Sequence, residues 1–127
     1  MGDRLQILVL DDSELALEVI AAALREAGFG VRAVASLPAF ELAMEAALPD
    51  VIVTDLQMPE VTGDNVCRLL KRLHDTEAIP IIICSSLDEE AIAPLAARAG
   101  ADGYVSKQGG PEALVARLTA LTEEVVF

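Results

Sequence analysis

Val51-Ile52-Val53-Thr54-Asp55 is a continuous apolar run that stops at a carboxylate. A strand covered on both faces reads this way, because neither face calls for polar residues. The pattern recurs along the chain. Ile7-Leu8-Val9-Leu10 runs into Asp11-Asp12, Ile81-Ile82-Ile83-Cys84 into Ser85-Ser86, and Tyr104-Val105-Ser106 into Lys107. A parallel sheet gathers the C-terminal ends of its strands on one edge. If these runs are neighbouring parallel strands, three carboxylates, a hydroxyl and an ammonium converge. Such a set can hold a divalent cation and a phosphoryl group.

Between the runs the hydrophobic period changes from strand-like to helical. Leu17, Ile20, Leu24 and Ala27 recur at helical spacing, with Glu14, Glu18 and Arg25 on the other side. Asp12 or Ser13 is placed to cap that helix. Gly28 suits its C-terminal end, and Gly30 reads as a turn residue. Residues 31–35 alternate, which predicts a second strand nearer an edge. Pro38 opens a second helix that ends before Pro49. Val66, Leu69, Leu70 and Leu73 mark another helix after the loop at Pro59. Ile92, Leu95, Ala96 and Ala99 mark the next, ending at Gly100. Gly109-Gly110 predicts a turn, Pro111 a helix start, and Leu114, Leu118 and Leu121 its buried stripe. Strands alternating with helices imply an α/β fold with a parallel sheet and right-handed crossovers.

The chain has 127 residues, enough for one domain with its own core. Hydrophobic residues make up 54% of it, which suits strands covered on both faces. The net charge of −12 should repel nucleic acid and anionic membranes, so no direct nucleic-acid contact is expected of this domain. No apolar run is long enough for a bilayer, and no signal peptide or myristoylation pattern is read at the start. The two cysteines, Cys67 and Cys84, have no metal-site spacing; a reducing, cytoplasmic compartment is expected. The single histidine, His74, reads as a solvated residue near a helix end, and with no other histidine Ser/His/Asp catalysis is not expected.

The ordered set Leu10-Asp11-Asp12-Ser13, Asp55-Leu56-Gln57-Met58-Pro59 with Gly63, Ser85-Ser86, Ala99-Gly100-Ala101-Asp102 before Tyr104, and Lys107 resembles the receiver domain of two-component response regulators. The resemblance covers nearly the whole chain and implies a single receiver domain over residues 1–127. It implies a doubly wound, flavodoxin-like (βα)5 fold whose five-stranded parallel sheet has order 2-1-3-4-5.

The resemblance implies that Asp55 accepts a phosphoryl group from a phosphohistidine on a histidine kinase or phosphotransfer protein. A carboxylate can serve as such a nucleophile. Mg²⁺ (or Mn²⁺) would be held by Asp12, Asp55 and the backbone carbonyl of Gln57, with Asp11 acting mostly through water. Two like charges near 4 Å cost on the order of 4 kcal/mol at an effective dielectric of ~20, so such a cluster invites a cation. Lys107 would stabilise the phosphoryl oxygens. The Ser85 hydroxyl would bond one of them and draw its loop inward, with the backbone N–H groups of Leu56 and Ser86 nearby. Tyr104 would turn inward in response and change the adjacent surface for a downstream partner. Homodimerisation through the helices around residues 92–99 and 114–121 is also implied. Such a domain promotes its own phosphotransfer and dephosphorylation and turns over no external metabolite.

Some positions depart from the family pattern. Lys107 is followed by Gln108-Gly109-Gly110, where the family has proline, often cis, and then an aromatic residue. A cis bond before a non-proline costs about 2.5–4 kcal/mol, which favours trans here. Thr62 stands in place of an acidic residue. Leu87, beside the expected phosphoryl site, would hinder water and lengthen the phosphoryl lifetime. Ser86-Leu87-Asp88-Glu89 also reads as a capping box. A non-phosphorylated receiver-like interaction module is the alternative. A phosphatase of haloacid dehalogenase type wants D-x-D-x-T, which Asp11-Asp12-Ser13 does not supply. A flavodoxin wants a hydroxyl-rich loop where this chain has two acids.

Overall fold

The computed structural model describes residues 4–55 and 79–126, with the backbone alone for 122–126. In chain order these residues form β1 (Gln6–Leu10), α1 (Glu14–Glu26), β2 (Gly30–Val34), α2 (Leu37–Ala46) and β3 (Val51–Thr54). They continue with β4 (Ile81–Ser85), α3 (Glu89–Ala99), β5 (Gly103–Ser106), a 3₁₀ turn (Lys107–Gly109) and α4 (Pro111–Val126). The helix expected across Val66 and Leu73 lies outside the described residues, as do Leu56, Gln57, Cys67 and His74.

All five strands pair in parallel, in the order β2-β1-β3-β4-β5. This is the order the receiver resemblance implied. The alternating strand β2 lies at an edge, where one side of the ladder is open. β1, β3 and β4 are interior, and every residue of β3 and β4 is buried.

Strand alternation sorts the core onto two faces. Ile7, Val9, Val51, Val53, Ile82 and Val105 pack with Leu17, Ile20, Leu24, Leu114 and Leu118 of α1 and α4. Leu8, Leu10, Ile52, Ile81 and Ile83 pack on the other face with Phe40 of α2 and Ile92, Ala96 and Ala99 of α3. Each Val, Leu, Ile or Phe among them contributes about 1.5–3 kcal/mol by leaving water.

Local chemistry fixes the helix ends. Ser13 Oγ accepts the Ala16 N–H (3.2 Å) and caps α1; Ser36 Oγ does the same for α2 through Ala39 (3.2 Å). Pro38 sits in the first turn of α2. Gly28 (φ +101°) and Gly100 (φ +78°) take left-handed conformations that turn the chain off α1 and α3.

Several sequence expectations are corrected. Gly30 is the first residue of β2 rather than a turn residue: it pairs with Gln6, and its N–H donates to the Leu5 carbonyl (2.9 Å). The strand therefore runs one residue earlier than expected. Ala27 is exposed, because the helix ends before it, and Phe29 fills that part of the core. Asp88, not Ser86, caps α3: its Oδ1 accepts the Ala91 N–H (2.9 Å). Leu95 and Leu121 are only partly buried.

Candidate functional site

The strand register creates the site. Leu10 lies opposite Thr54, so the next residues, Asp11 and Asp55, emerge side by side. Their backbone N–H groups are already engaged: Asp11 donates to the Val34 carbonyl (3.2 Å) and Asp55 to the Leu10 carbonyl (3.1 Å). The carboxylates thus project beyond the sheet edge while the backbone remains in the ladder. Ser85 lies opposite Ser106, so Lys107 leaves β5 beside the end of β4.

Asp11 (2% exposed) and Asp55 (6%) are buried, while Asp12 is exposed. One oxygen from each of Asp11, Asp12 and Asp55 lies within 4.8 Å of the others. These are hard oxygen donors, the type that fits Mg²⁺ and similar cations. Asp11 Oδ1 also accepts the Ser13 N–H (2.9 Å), which orients it at the start of α1.

Lys107 Nζ bridges the two buried carboxylates, donating to Asp11 Oδ2 (2.5 Å) and Asp55 Oδ2 (3.1 Å). Burial works against the ammonium. The hydrogen bond to Asp11 and the charge of Asp55 outweigh it, and the Lys107 pKa is raised above the ordinary lysine value. The fold therefore favours the charged form of Lys107.

Ser85 is fully buried, and its Oγ accepts the Leu87 N–H (3.3 Å). Cys84, beneath the site, is a buried free thiol; desolvation pushes its pKa up to about 11, which keeps it neutral. Tyr104 stands at the surface of β5, 38% exposed. It borders a shallow depression with Glu89, Ala93, Ala97 and Arg117. Ser86 is exposed.

The structure therefore brings together Asp11, Asp12, Asp55, Lys107 and Ser85, while Leu56 and Gln57 fall outside the described residues. It also shows two participants that the sequence did not single out. Ser106 Oγ donates to the Leu87 carbonyl (2.7 Å), and Gln108 Nε2 donates to the Ser86 carbonyl (3.1 Å). The only signal available was a hydroxyl at the end of a strand, just before the lysine. The peptide bonds from Lys107 to Gly110 are trans.

The sequence matches the family described as "Response regulator receiver domain" over residues 7–119. It is 35% identical to the alkaline phosphatase synthesis transcriptional regulatory protein SphR of Synechococcus elongatus, over 91% of this chain and 48% of that protein. The chain spans about half the length of the curated relatives it matches. Among solved structures it resembles the response regulator DrrB of Thermotoga maritima, an OmpR/PhoB homologue. That likeness has TM-score 0.79 and 28% identity, covering 95% of this chain and 54% of that one. The chemotaxis protein CheY4 of Vibrio cholerae shares the fold, with TM-score 0.79 and 24% identity, covering 92% of this chain and 98% of that one.

Proposed function

The chain belongs to the response regulator receiver domain family, and on that premise we propose that Asp55 is its phosphoacceptor and phosphorylation its switch. One observation carries this reading. Lys107 spans Asp11 and Asp55 at the C-terminal edge of the sheet, with Asp12 within reach of the same point.

The phosphoryl donor is a phosphohistidine on a histidine kinase or phosphotransfer protein. A carboxylate oxygen of Asp55 attacks phosphorus. The O–P bond forms as the donor's N–P bond breaks, and the departing imidazole nitrogen takes a proton from solvent. Lys107 then faces the phosphoryl oxygens and offsets their charge. Ser85 contributes its hydroxyl, and the backbone N–H groups of Leu56 and Ser86 complete the contacts. Asp11, Asp12, Asp55 and the Gln57 backbone carbonyl would hold Mg²⁺ (or Mn²⁺), which would supply positive charge to the phosphoryl group. Leu87 limits access of water, giving a long-lived phosphoryl group.

Tyr104 is the readout: it moves inward when Ser85 is drawn to the phosphoryl group and reshapes the face of α3, β5 and α4. A downstream partner, or a second copy of the chain joined through α3 and α4, reads that face. Residues 1–127 act as one cytoplasmic receiver domain without direct nucleic-acid contact. The domain promotes only its own phosphotransfer and dephosphorylation.

Intact-mass spectrometry after incubation with acetyl phosphate and Mg²⁺ tests the proposal. The expected result is one labile phosphoryl adduct, absent in Asp55→Asn and absent with a chelator. An adduct that persists in Asp55→Asn places the acceptor elsewhere. No adduct from either acetyl phosphate or a phosphorylated kinase would leave the domain a non-phosphorylated module.

A further inference from the structure

The segment that carries Lys107 lacks the proline expected after it, and has Gln108 instead. Proline would fix its own φ and remove an N–H. Gln108 retains its N–H and donates it to Ser106 Oγ (3.1 Å). The same Ser106 hydroxyl donates to the Leu87 carbonyl (2.7 Å), and the Gln108 side chain reaches the Ser86 carbonyl (3.1 Å). The Leu87 N–H in turn donates to Ser85 Oγ (3.3 Å). A short path of hydrogen bonds thus runs from the residues flanking Lys107 to Ser85. Ser106 is buried and both donates and accepts, so its hydroxyl is oriented from two sides. The turn itself is closed by the Gly110 N–H on the Lys107 carbonyl (3.0 Å).

We propose that Ser106 and Gln108 are positioning residues that fasten the Lys107 segment to the loop bearing Ser85, so that ammonium and hydroxyl reach the phosphoryl group as one unit. This rests on the phosphoacceptor reading of Asp55. Neither residue touches the reacting atoms. Each acts through a neighbour, Ser106 through Leu87 and Gln108 through Ser86. Ser106 also adjoins Lys107 directly, so loss of either bond frees the lysine segment to sample other positions. The hydrogen-bonded link does by side-chain contact what a rigid ring would do by restricting the backbone.

The test uses the full chain with Gln108→Ala, Ser106→Ala and Ser106→Thr, each alone and in a Lys107→Ala background. The rate of adduct formation at saturating acetyl phosphate and Mg²⁺ is followed by intact mass. Gln108→Ala should slow the rate roughly 3- to 10-fold, the scale of one neutral hydrogen bond, and Ser106→Ala, which removes two, by at least as much. Ser106→Thr keeps the hydroxyl and should recover the wild-type rate. In the Lys107→Ala background the alanine variants should slow the rate less than they do alone, because one of the two groups they join is gone. Wild-type rates in both alanine variants, or equal slowing in the Lys107→Ala background, would overturn the proposal. Amide hydrogen exchange at Leu87 and Gln108 provides a readout without a donor. At Leu87 it should rise in both alanine variants, and unchanged exchange there overturns the link. If wild type takes no phosphoryl group, the Asp55 reading falls, and exchange alone decides whether the link exists.

Discussion

The two edges of the sheet use the same residue type in opposite ways. At the N-terminal edge, Asp50 and Asp102 stand apart and bind the protein's own backbone. Asp50 Oδ2 accepts the Gln6 N–H (2.7 Å), and Asp102 Oδ2 accepts the Ile81 N–H (2.8 Å). Each is matched by a return bond from its own N–H, to the Gln6 and Ile81 carbonyls (both 2.8 Å). At the C-terminal edge, Asp11, Asp12 and Asp55 crowd within 4.8 Å, and two of them share one ammonium. The difference lies in which groups each edge offers. First residues of strands still have an N–H to give, so a carboxylate there closes a register. At the strand ends the N–H groups of Asp11 and Asp55 are already in the ladder. Carboxylates there face the Lys107 ammonium, which makes that edge the candidate site and the other edge structure.

The largest effect is expected from removing the shared cation. In metal-free buffer, Lys107→Ala should lose about 2–4 kcal/mol of unfolding free energy, because it leaves two buried carboxylates without their ammonium. Mg²⁺ should then restore more stability to the variant than it adds to wild type. Urea titrations with and without Mg²⁺ measure both quantities. An equal Mg²⁺ increment in the two proteins would mean that Lys107 does not stand in for a cation.

At the other edge the expected loss is smaller and independent of metal. Asp102→Ala removes one charge-assisted acceptor from a partly exposed bond and should cost about 1–2 kcal/mol. Asp50→Ala, at a more exposed bond, should cost less. A metal-dependent loss in either variant would blur the distinction between the edges.

The smallest effect concerns the thiol beneath the site. Burial holds the Cys84 pKa near 11, above its unfolded value near 9. Below the unfolded value both states keep the proton, and the contribution to stability is fully present. As pH rises the unfolded chain ionises first, and stability is lost until the folded thiol also ionises. By pH 10 this loss is about 1 kcal/mol. Cys84→Ala should therefore lose less stability than wild type between pH 9 and 11, measured by urea unfolding at each pH. Parallel curves would show that Cys84 ionises as freely in the fold as out of it.

Much of this was readable in the chain because burial on both faces leaves continuous apolar runs, and β1, β3 and β4 have them. The residue ending each run is then a candidate site residue by position, which is how Asp11, Asp55, Ser85 and Lys107 could be singled out. The strand order came from the family resemblance, since periodicity carries no information about neighbours. The start of β2 was misplaced because Gly30 looks like a turn until its pairing with Gln6 is seen. The cap of α3 was misassigned because Ser86 and Asp88 both suit that role by type. The Ser86 carbonyl is instead bonded by Gln108 from 22 residues away, and α3 begins later. The links from Ser106 and Gln108 were invisible for the same reason. They join residues brought near only by the register of β4 and β5.

The most direct test of the comparison is the Mg²⁺-dependent shift in thermal midpoint for wild type, Asp12→Asn and Asp102→Ala. Asp12 is exposed, so its amide should leave the fold intact and the metal-free midpoint close to wild type. Mg²⁺ should raise the midpoint of wild type and Asp102→Ala by the same amount, although Asp102→Ala starts lower. Asp12→Asn should lose most of that rise. A full Mg²⁺ shift in Asp12→Asn, or its loss in Asp102→Ala, would contradict the assignment of the cation to the C-terminal edge.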